Sequence, residues 1–331
     1  MVLRLWLVLP LLMCFSFLPA RSAERFALGG VKDNGQLRVE GIQLVNQYGG
    51  PIQLRGMSSH GILWVPQFVN ARALLQLRSL GANLFRVAMY ADSVKGGYSE
   101  SDWDAGQSMK FLRMGVENSL ALDLYTIIDW HILEDKNPLL TVDKAIQFFS
   151  EISSIHANDP AIIYEICNEP NGDTTWEDIS LYARQVIPVI RKNSPQAVIL
   201  VGTPQWSFDL SSVIPAPLEF ENIMYSFHMY TGFTNYEFRD LLASMRKAGL
   251  PVFVSEWGIS KDEKTGELDL VEARALISYM REHGYSWANW SLSNLDEDFS
   301  AIRTDSNKLS GWTDEDLTES GRLIFRALSG R

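Results

Sequence analysis

Residues 161–173 read AIIYEICNEPNGD. Ile162 to Cys167 is a short apolar run bounded by turn residues, the composition of a strand buried on both faces, as parallel strands are. Directly behind it stand an amide, a carboxylate and a proline. Pro170 disfavours the helical region for Glu169 and keeps it extended, so Asn168 and Glu169 are expected where the strand leaves the core. The ordinary fate of such a glutamate is a surface role, capping a helix or pairing with an arginine. What the rest of the chain places beside it decides between that fate and a chemical one.

Outward from this strand the same pattern recurs. Apolar, β-rich segments stand at Ile52–Met57, Leu84–Met89, Tyr125–Trp130, Ile162–Cys167, Val198–Val201, Ile223–Phe227, Val252–Val254 and Ser286–Trp290, eight in all. Segments of helical period separate them at 70–80, 143–156, 176–192, 236–249 and 270–284. Gly81, Gly249 and Gly284 stand where a C-cap glycine would, and Asp143 and Thr174 are candidate start signals. Strand and helix alternating in this way predict a parallel sheet. Eight units in a chain of 331 residues fit a single closed (β/α)8 TIM barrel, an α/β fold of about 250 residues. A doubly wound open sheet would carry a glycine-rich phosphate loop after its first strand, and GMSSHG (56–61) is not that fingerprint. Ahead of the barrel, GQLRVEGIQLVNQYGGPIQLRG (35–56) reads as strands broken by glycine turns, a short N-terminal β-hairpin that closes the barrel floor.

The N-terminus has a different character. An arginine, an apolar stretch over Leu5–Leu18 and then LPARSA, with small residues at Ala20 and Ser22, read as a secretory signal peptide over 1–22. The stretch is short for a membrane span, which needs about 20 residues. The expectation is a leader followed by one domain over 23–331, exported to the medium or a periplasm, with no membrane association once the leader is removed. Cys14 lies in the leader and Cys167 in the apolar strand. No internal disulfide is then available, and Cys167 reads as a packed core residue. The formal charge of −11 becomes −13 when Arg4 and Arg21 leave with the leader. No basic cluster interrupts it, which argues against a nucleic-acid partner. A monomer acting on a neutral substrate fits these features.

Barrel enzymes carry their chemistry at the carboxyl ends of the strands. Here those ends hold His60 and Trp64, Arg86 and Tyr90, Asp129-Trp130-His131, Asn168-Glu169, Trp206, His228 and Tyr230, Ser255-Glu256, and Asn289-Trp290-Ser291. A stable barrel needs no such sequence of polar and aromatic tips. Two glutamates on separate strands, Glu169 and Glu256, are the pair glycoside hydrolysis requires: one protonated to assist the leaving oxygen, one ionised to attack the sugar or activate water. Burial and neighbouring charge separate the pKa values of such a pair. Trp64, Trp206 and Trp290 offer flat apolar faces that suit pyranose rings. His60, His131 and His228 with either glutamate could in principle bind zinc. Yet no His-x-His lies on a strand and no His-Glu-x-x-His on a helix, so neither a metal nor another cofactor is expected. Gly-x-Ser-x-Gly is absent, which argues against serine hydrolysis. Asn289-Trp290-Ser291 fits a glycosylation sequon, but its place on a barrel strand argues against modification.

The motifs LRGMSSHGILW (54–64), LFRVAMY (84–90), IIDWHIL (127–133), YEICNEPNG (164–172), VSEWG (254–258) and WANWSLS (287–293) together resemble glycoside hydrolase family 5, most closely its bacterial-type endo-β-1,4-glucanase branch. The flank SGWTDEDLTESG (310–321) resembles it too. The resemblance implies a retaining hydrolase of β-1,4-glucan with Glu169 as acid/base and Glu256 as nucleophile. Arg86 and Tyr230 match the pair that hydrogen-bonds the nucleophile, which lowers a carboxyl pKa. Asn168 matches a contact to the sugar 2-hydroxyl, His228 the partner of the acid/base, and His131 a substrate-hydroxyl contact. His60, Trp64, Tyr90, Trp206 and Trp290 match residues lining the sugar subsites. The branch commonly continues SLSDK-x-E where this chain has Ser291 to Glu297 with Leu295 at the lysine position. Subsite preference is the property this departure touches, with Glu297 the expected retained contact. A β-mannanase, a mixed-linkage β-glucanase and a non-catalytic glycan-binding barrel remain alternatives at this stage.

Overall fold

The computed structural model describes residues 26–92, 96–232, 238–262 and 265–330; the expected leader lies outside them. Strands β1 (Arg38–Glu40) and β2 (Gln43–Val45) form an antiparallel hairpin turning at Gly41, whose positive φ suits glycine. Eight parallel strands follow: β3 (Arg55–Ser59), β4 (Leu84–Tyr90), β5 (Tyr125–His131), β6 (Ile162–Glu165), β7 (Val198–Val201), β8 (Ile223–Thr231), β9 (Val252–Ile259) and β10 (Trp287–Leu292). They close in sequence order, with β10 beside β3. This is the expected (β/α)8 barrel. The hairpin plugs its floor: Leu37 and Leu44 pack on Leu84, Ile163 and Phe253 inside the barrel, and the Tyr125 hydroxyl donates to the Gly35 carbonyl at 2.6 Å.

Side chains alternate along a strand, and that alternation stratifies the barrel. Phe85, Val87 and Met89 of β4, like Ile128 and Trp130 of β5, enter the apolar shell shared with the helices. Their neighbours face the axis. From the floor upward these are an apolar layer (Leu84, Ile127, Ile163, Leu200), a polar layer (Arg86, Asp129, Glu165, Ser226) and a mouth containing Tyr90, His131 and Trp290. Each fully buried aliphatic of the lower layer contributes about 1.5–3 kcal/mol, a rigid base on which the polar layer can be held.

Strand β9 breaks the alternation. Its register with β8 runs Phe253↔Ser226 and then Glu256↔His228, three residues against two. The same extra residue shows against β10, between Val254↔Trp287 and Trp257↔Asn289. Such a bulge re-aims side chains. Here Ser255 and Glu256, adjacent in the chain, both face the barrel interior, while Val254 and Trp257 on either side enter the outer shell.

The five expected helices are present as Ala71–Ser79, Val142–Ile155, Trp176–Asn193, Phe238–Ala248 and Leu270–His283. Asn70 caps the first, accepting from two backbone N–H groups. The fourth β/α unit's helix begins at Thr175 and not Thr174: Thr175 and Asp178 form a reciprocal capping box. The helix expected to begin near Asp143 starts one residue earlier, leaving Asp143 in its first turn. The longer helices Asp102–Ala121 and Glu319–Leu328 were not expected, nor were the single turns Val31–Asn34 and Pro204–Ser207. The inward face of the first mixes Met109, Leu112 and Val116 with Ser108, Gly115 and Ser119, which blurs its apolar period. No helix among the described residues is long and apolar enough to cross a membrane.

Strand ends also differ from expectation. β8 runs on to Thr231 and β9 to Ile259, so His228, Tyr230 and Glu256 stand within the ladder, while β6 already ends at Glu165. Their backbones are therefore held by the barrel itself.

Candidate active site

Arg86 organises the polar layer. It projects inward from β4 and is wholly buried. Nε donates to Glu165 Oε2 at 2.7 Å, Nη1 to Glu256 Oε2 at 2.8 Å and to Ser58 Oγ at 3.3 Å. Nη2 donates to Asn168 Oδ1 at 2.6 Å and lies 2.9 Å from Asp129 Oδ2. A guanidinium has five N–H groups in a fixed fork, and here they tie four strands and the segment after β6 into one unit. Burial opposes its charge, but the three carboxylates overcome that and hold it firmly protonated.

Glu256 is buried at the β9 bulge. Besides Arg86, it accepts from the Tyr230 hydroxyl, Oη to Oε1 at 2.6 Å. Burial alone would raise its pKa; His228 and Arg86 outweigh it, and the carboxyl titrates below its ordinary value. Glu169 is paired with His228. It stands half-buried beyond β6, its Oε1 3.0 Å from His228 Nδ1. Burial, and then the charge of Glu256, raise its pKa. Oxygens of the two carboxylates and the ring of His228 lie within 4.8 Å of one another. Neighbouring glutamates of opposite preference, one ionised and one protonated, are what proton donation coupled to nucleophilic attack needs.

His228 links Glu169 to the layer beneath. Nε2 lies 3.0 Å from Ser255 Oγ and 3.6 Å from Glu165 Oε1. Burial lowers its pKa, but Glu256, Glu165 and Glu169 raise it further, to about 10.

The remaining expected residues also gather at this mouth, not all in the expected manner. His60, Trp64, Tyr90, His131 and Trp290 form one chain of ring contacts, with centroids 4.2–5.5 Å apart along it. Trp64 is 44% exposed, but Trp290 is only 4% exposed. It stacks on His131 at 5.2 Å and 15° and is a wall of the pocket, not an open platform. His131, expected to meet a substrate hydroxyl, has its Nδ1 2.6 Å from Asp129 Oδ2 and its Nε2 3.2 Å from Asn168 Nδ2. Asn168, expected at the sugar 2-hydroxyl, is held in place by Arg86, His131 and the Ile132 carbonyl. His60 Nε2 faces Glu297 at 3.5 Å. Leu295 packs against the apolar core.

Trp206 stands on a different side, half exposed on a turn after β7 in which Gln205, Trp206 and Ser207 all have φ near +56°. Left-handed backbone costs L-residues about 1–2 kcal/mol each. The turn is held by Trp206 N–H donating to the Pro170 carbonyl at 3.0 Å and by Ser207 Oγ donating to the Asn168 carbonyl at 2.6 Å. The indole is thus positioned by the same segment that carries Glu169.

Sequence reasoning missed Glu165 and Ser226, and gave Asp129 and Ser255 no role. Glu165 is fully buried and accepts from Arg86, Ser226 and Ser255. A charged residue in the apolar run IIYEIC was the available signal; its meaning depended on Arg86 arriving from another strand.

Glu169, His228 and Glu256 also form a group of potential metal ligands. Both ring nitrogens of His228 already face Glu169 and Ser255, and both oxygens of Glu256 accept from Tyr230 and Arg86. The donor set is satisfied by protein hydrogen bonds. Cys167 is buried, and burial pushes its thiol pKa well up, as a core cysteine requires. Asn289 is buried and donates to the Trp257 carbonyl at 3.0 Å, so the sequon there is inaccessible.

Comparison with known proteins places this geometry. A family model described as cellulase (glycosyl hydrolase family 5) matches residues 45–296. Endoglucanase A of Butyrivibrio fibrisolvens is 42% identical over 90% of this chain and 70% of its own length. An endoglucanase of Clostridium saccharobutylicum is 40% identical over 89% and 65% respectively. The chain therefore spans about two thirds of the length of these relatives. Among solved structures, the catalytic domain of Thermobifida fusca endoglucanase Cel5A superposes with a TM-score of 0.83 at 32% identity, covering 91% of this chain and 99% of that one. That catalytic domain has also been solved in complex with cellotetraose.

Proposed function

The chain belongs to glycosyl hydrolase family 5, the cellulases, and from that premise we propose that it is an exported, retaining endo-β-1,4-glucanase. Glu256, ionised between Arg86 and Tyr230, attacks the anomeric carbon. Glu169 gives its proton to the departing glycosidic oxygen, and a covalent glycosyl-enzyme forms. Glu169, now a carboxylate, then takes a proton from the water that hydrolyses this intermediate.

One observation carries the reading: the two carboxylates face each other closely, with one oxygen of Glu169 within 4.8 Å of one oxygen of Glu256 at closest approach. Retaining pairs stand about 5–5.5 Å apart, whereas inverting pairs stand about 6.5–9.5 Å apart to admit a water. The separated pKa values of the two groups support the same division of roles. The names of the relatives and the cellotetraose complex support β-1,4-glucan as the substrate class. Exposed Trp64 and Trp206, on different sides of the mouth, suit an internal stretch of chain passing across it. Export rests on the leader over 1–22, with 23–331 as the catalytic domain.

The test is reducing-end release from carboxymethylcellulose, β-mannan and mixed-linkage glucan, with Glu256→Gln in parallel. Highest activity on carboxymethylcellulose, lost in the variant, is expected. Preference for mannan would keep the mechanism and discard the substrate. Undiminished activity in Glu256→Gln would remove the nucleophile assignment.

A further inference from the structure

We propose that Glu165 is a positioning residue that keeps His228 doubly protonated and so turns the proton of Glu169 toward the cleft. The inference rests on the reading of Glu169 as the acid/base.

The geometry leaves few choices of proton placement. Glu165 Oε1 accepts from Ser226 Oγ at 2.6 Å and from Ser255 Oγ at 2.5 Å. A serine hydroxyl has one proton, so with Ser255 committed to Glu165 its oxygen meets His228 Nε2 as an acceptor. Nε2 therefore carries a hydrogen. Nδ1, 3.0 Å from Glu169 Oε1, can then be filled in two ways. An imidazolium donates Nδ1–H to Glu169, or a neutral imidazole accepts the proton of Glu169. In the second case the acid's proton points at the histidine and away from any leaving oxygen.

The charge of Glu165, 3.6 Å from Nε2, favours the imidazolium. The ionisable groups around His228 come from five strands: Arg86 on β4, Asp129 and His131 on β5, Glu165 on β6 with Glu169 beyond it, Tyr230 on β8 and Glu256 on β9; β7, which also flanks β8, is Val198–Val201 and adds none. Carboxylates outnumber cations among them. The raised pKa of His228 agrees with this placement. With Nδ1–H fixed on Oε1, the proton of Glu169 resides on the other oxygen. When it is given up, the O–H bond of Glu169 breaks, its electron pair stays on the carboxylate and the hydrogen joins the glycosidic oxygen. His228 keeps both protons and stabilises the new carboxylate.

Glu165→Gln preserves volume and removes the charge. The expected result is a fall in kcat on β-1,4-glucan of about 10–100-fold, a part of the roughly 10²–10⁴-fold that general acid catalysis supplies. The first step with 2,4-dinitrophenyl β-cellobioside, whose leaving group needs no proton, should change by less than about threefold when followed as kcat/KM. The basic limb of kcat/KM should move to higher pH, because Glu169 loses a cationic neighbour that lowers its pKa. Equal losses on both substrates with an unmoved limb would reduce Glu165 to a structural residue and overturn the proposal. A second readout needs no activity: nitrogen-15 shifts of His228, assigned by comparison with His228→Asn. Both ring nitrogens should be protonated at pH 8 in the wild type, with the proton affinity falling more than tenfold in Glu165→Gln. A neutral ring at pH 7 in the wild type would overturn the proposal even if Glu165→Gln fails to fold. A charged ring in a wild type that hydrolyses no glycan would support the pairing and defeat the glucanase reading instead.

Discussion

The Tyr230 hydroxyl on β8 donates a 2.6 Å hydrogen bond to Glu256 Oε1 on β9, while Arg86 holds the other oxygen. Both donors favour the ionised carboxylate, and Glu256 titrates below its ordinary value. Tyr230→Phe removes one donor and leaves the ring in place. A hydrogen bond to a charged group contributes about 1.5–3 kcal/mol, so kcat should fall about 10–100-fold. The pKa of Glu256 rises on losing the donor, so the acidic limb of the pH–rate profile should move to higher pH. An unmoved limb would show that His228 and Arg86 set the ionisation without Tyr230.

Glu169→Gln tests the acid. General acid catalysis contributes about 10²–10⁴-fold, and kcat on β-1,4-glucan should fall by that factor. With 2,4-dinitrophenyl β-cellobioside the first step should survive, and added azide should restore turnover by attacking the glycosyl-enzyme without base assistance. Failure of azide to accelerate this variant would count against the two-step route.

Arg86→Met tests the stability side of the same network. Removing one partner of a buried ion cluster costs about 3–5 kcal/mol, measured as a lowered urea midpoint at pH 7. Glu165 is drawn well below its ordinary 4.5, chiefly by Arg86 against the effect of burial. A group depressed in this way contributes stability that is present above its unfolded pKa and is lost as pH falls through the folded one. Without Arg86 the carboxyls can take up protons in mild acid, so the deficit of the variant should shrink between pH 7 and pH 4. Equal deficits at both pH values would contradict the assignment.

Trp206→Ala removes an exposed indole that touches none of the catalytic hydrogen bonds. Aromatic packing of this kind contributes about 0.5–1.5 kcal/mol, so KM for cellopentaose should rise about 2–10-fold with kcat little changed. Trp206→Gly should lose the same binding but unfold at higher urea than Trp206→Ala, because glycine adopts the φ of +57° there without steric cost. A larger effect on kcat than on KM would place the indole nearer the reaction than a binding platform.

Much of this molecule was legible in its sequence. The eight apolar segments correspond to barrel strands, and every residue proposed for the site stands in the polar layer, at the mouth or on the turn after β7. Arg86, Tyr230 and His228 meet the partners expected of them. The helix at Asp102–Ala121 escaped because half of its buried face is serine or glycine. Trp290 was legible as a mouth residue but not as a buried one, since exposure depends on Tyr90, His131 and His60 closing around it.

By itself the sequence determined the barrel, its plugged floor and the polar character of its strand tips. These follow from patterns among near neighbours: apolar runs of strand length, helical period between them and glycine at the turns. Only the tertiary structure decided which tips touch. The extra residue in β9 turns both Ser255 and Glu256 inward, where strict alternation would have sent one of them into the outer shell. Glu165 became the anchor of Arg86 and His228 because closure brings β4, β6 and β8 to one height in the barrel. The pKa separation of Glu169 and Glu256 has the same origin: it is set by burial and by charges far apart in the chain, which no local pattern encodes.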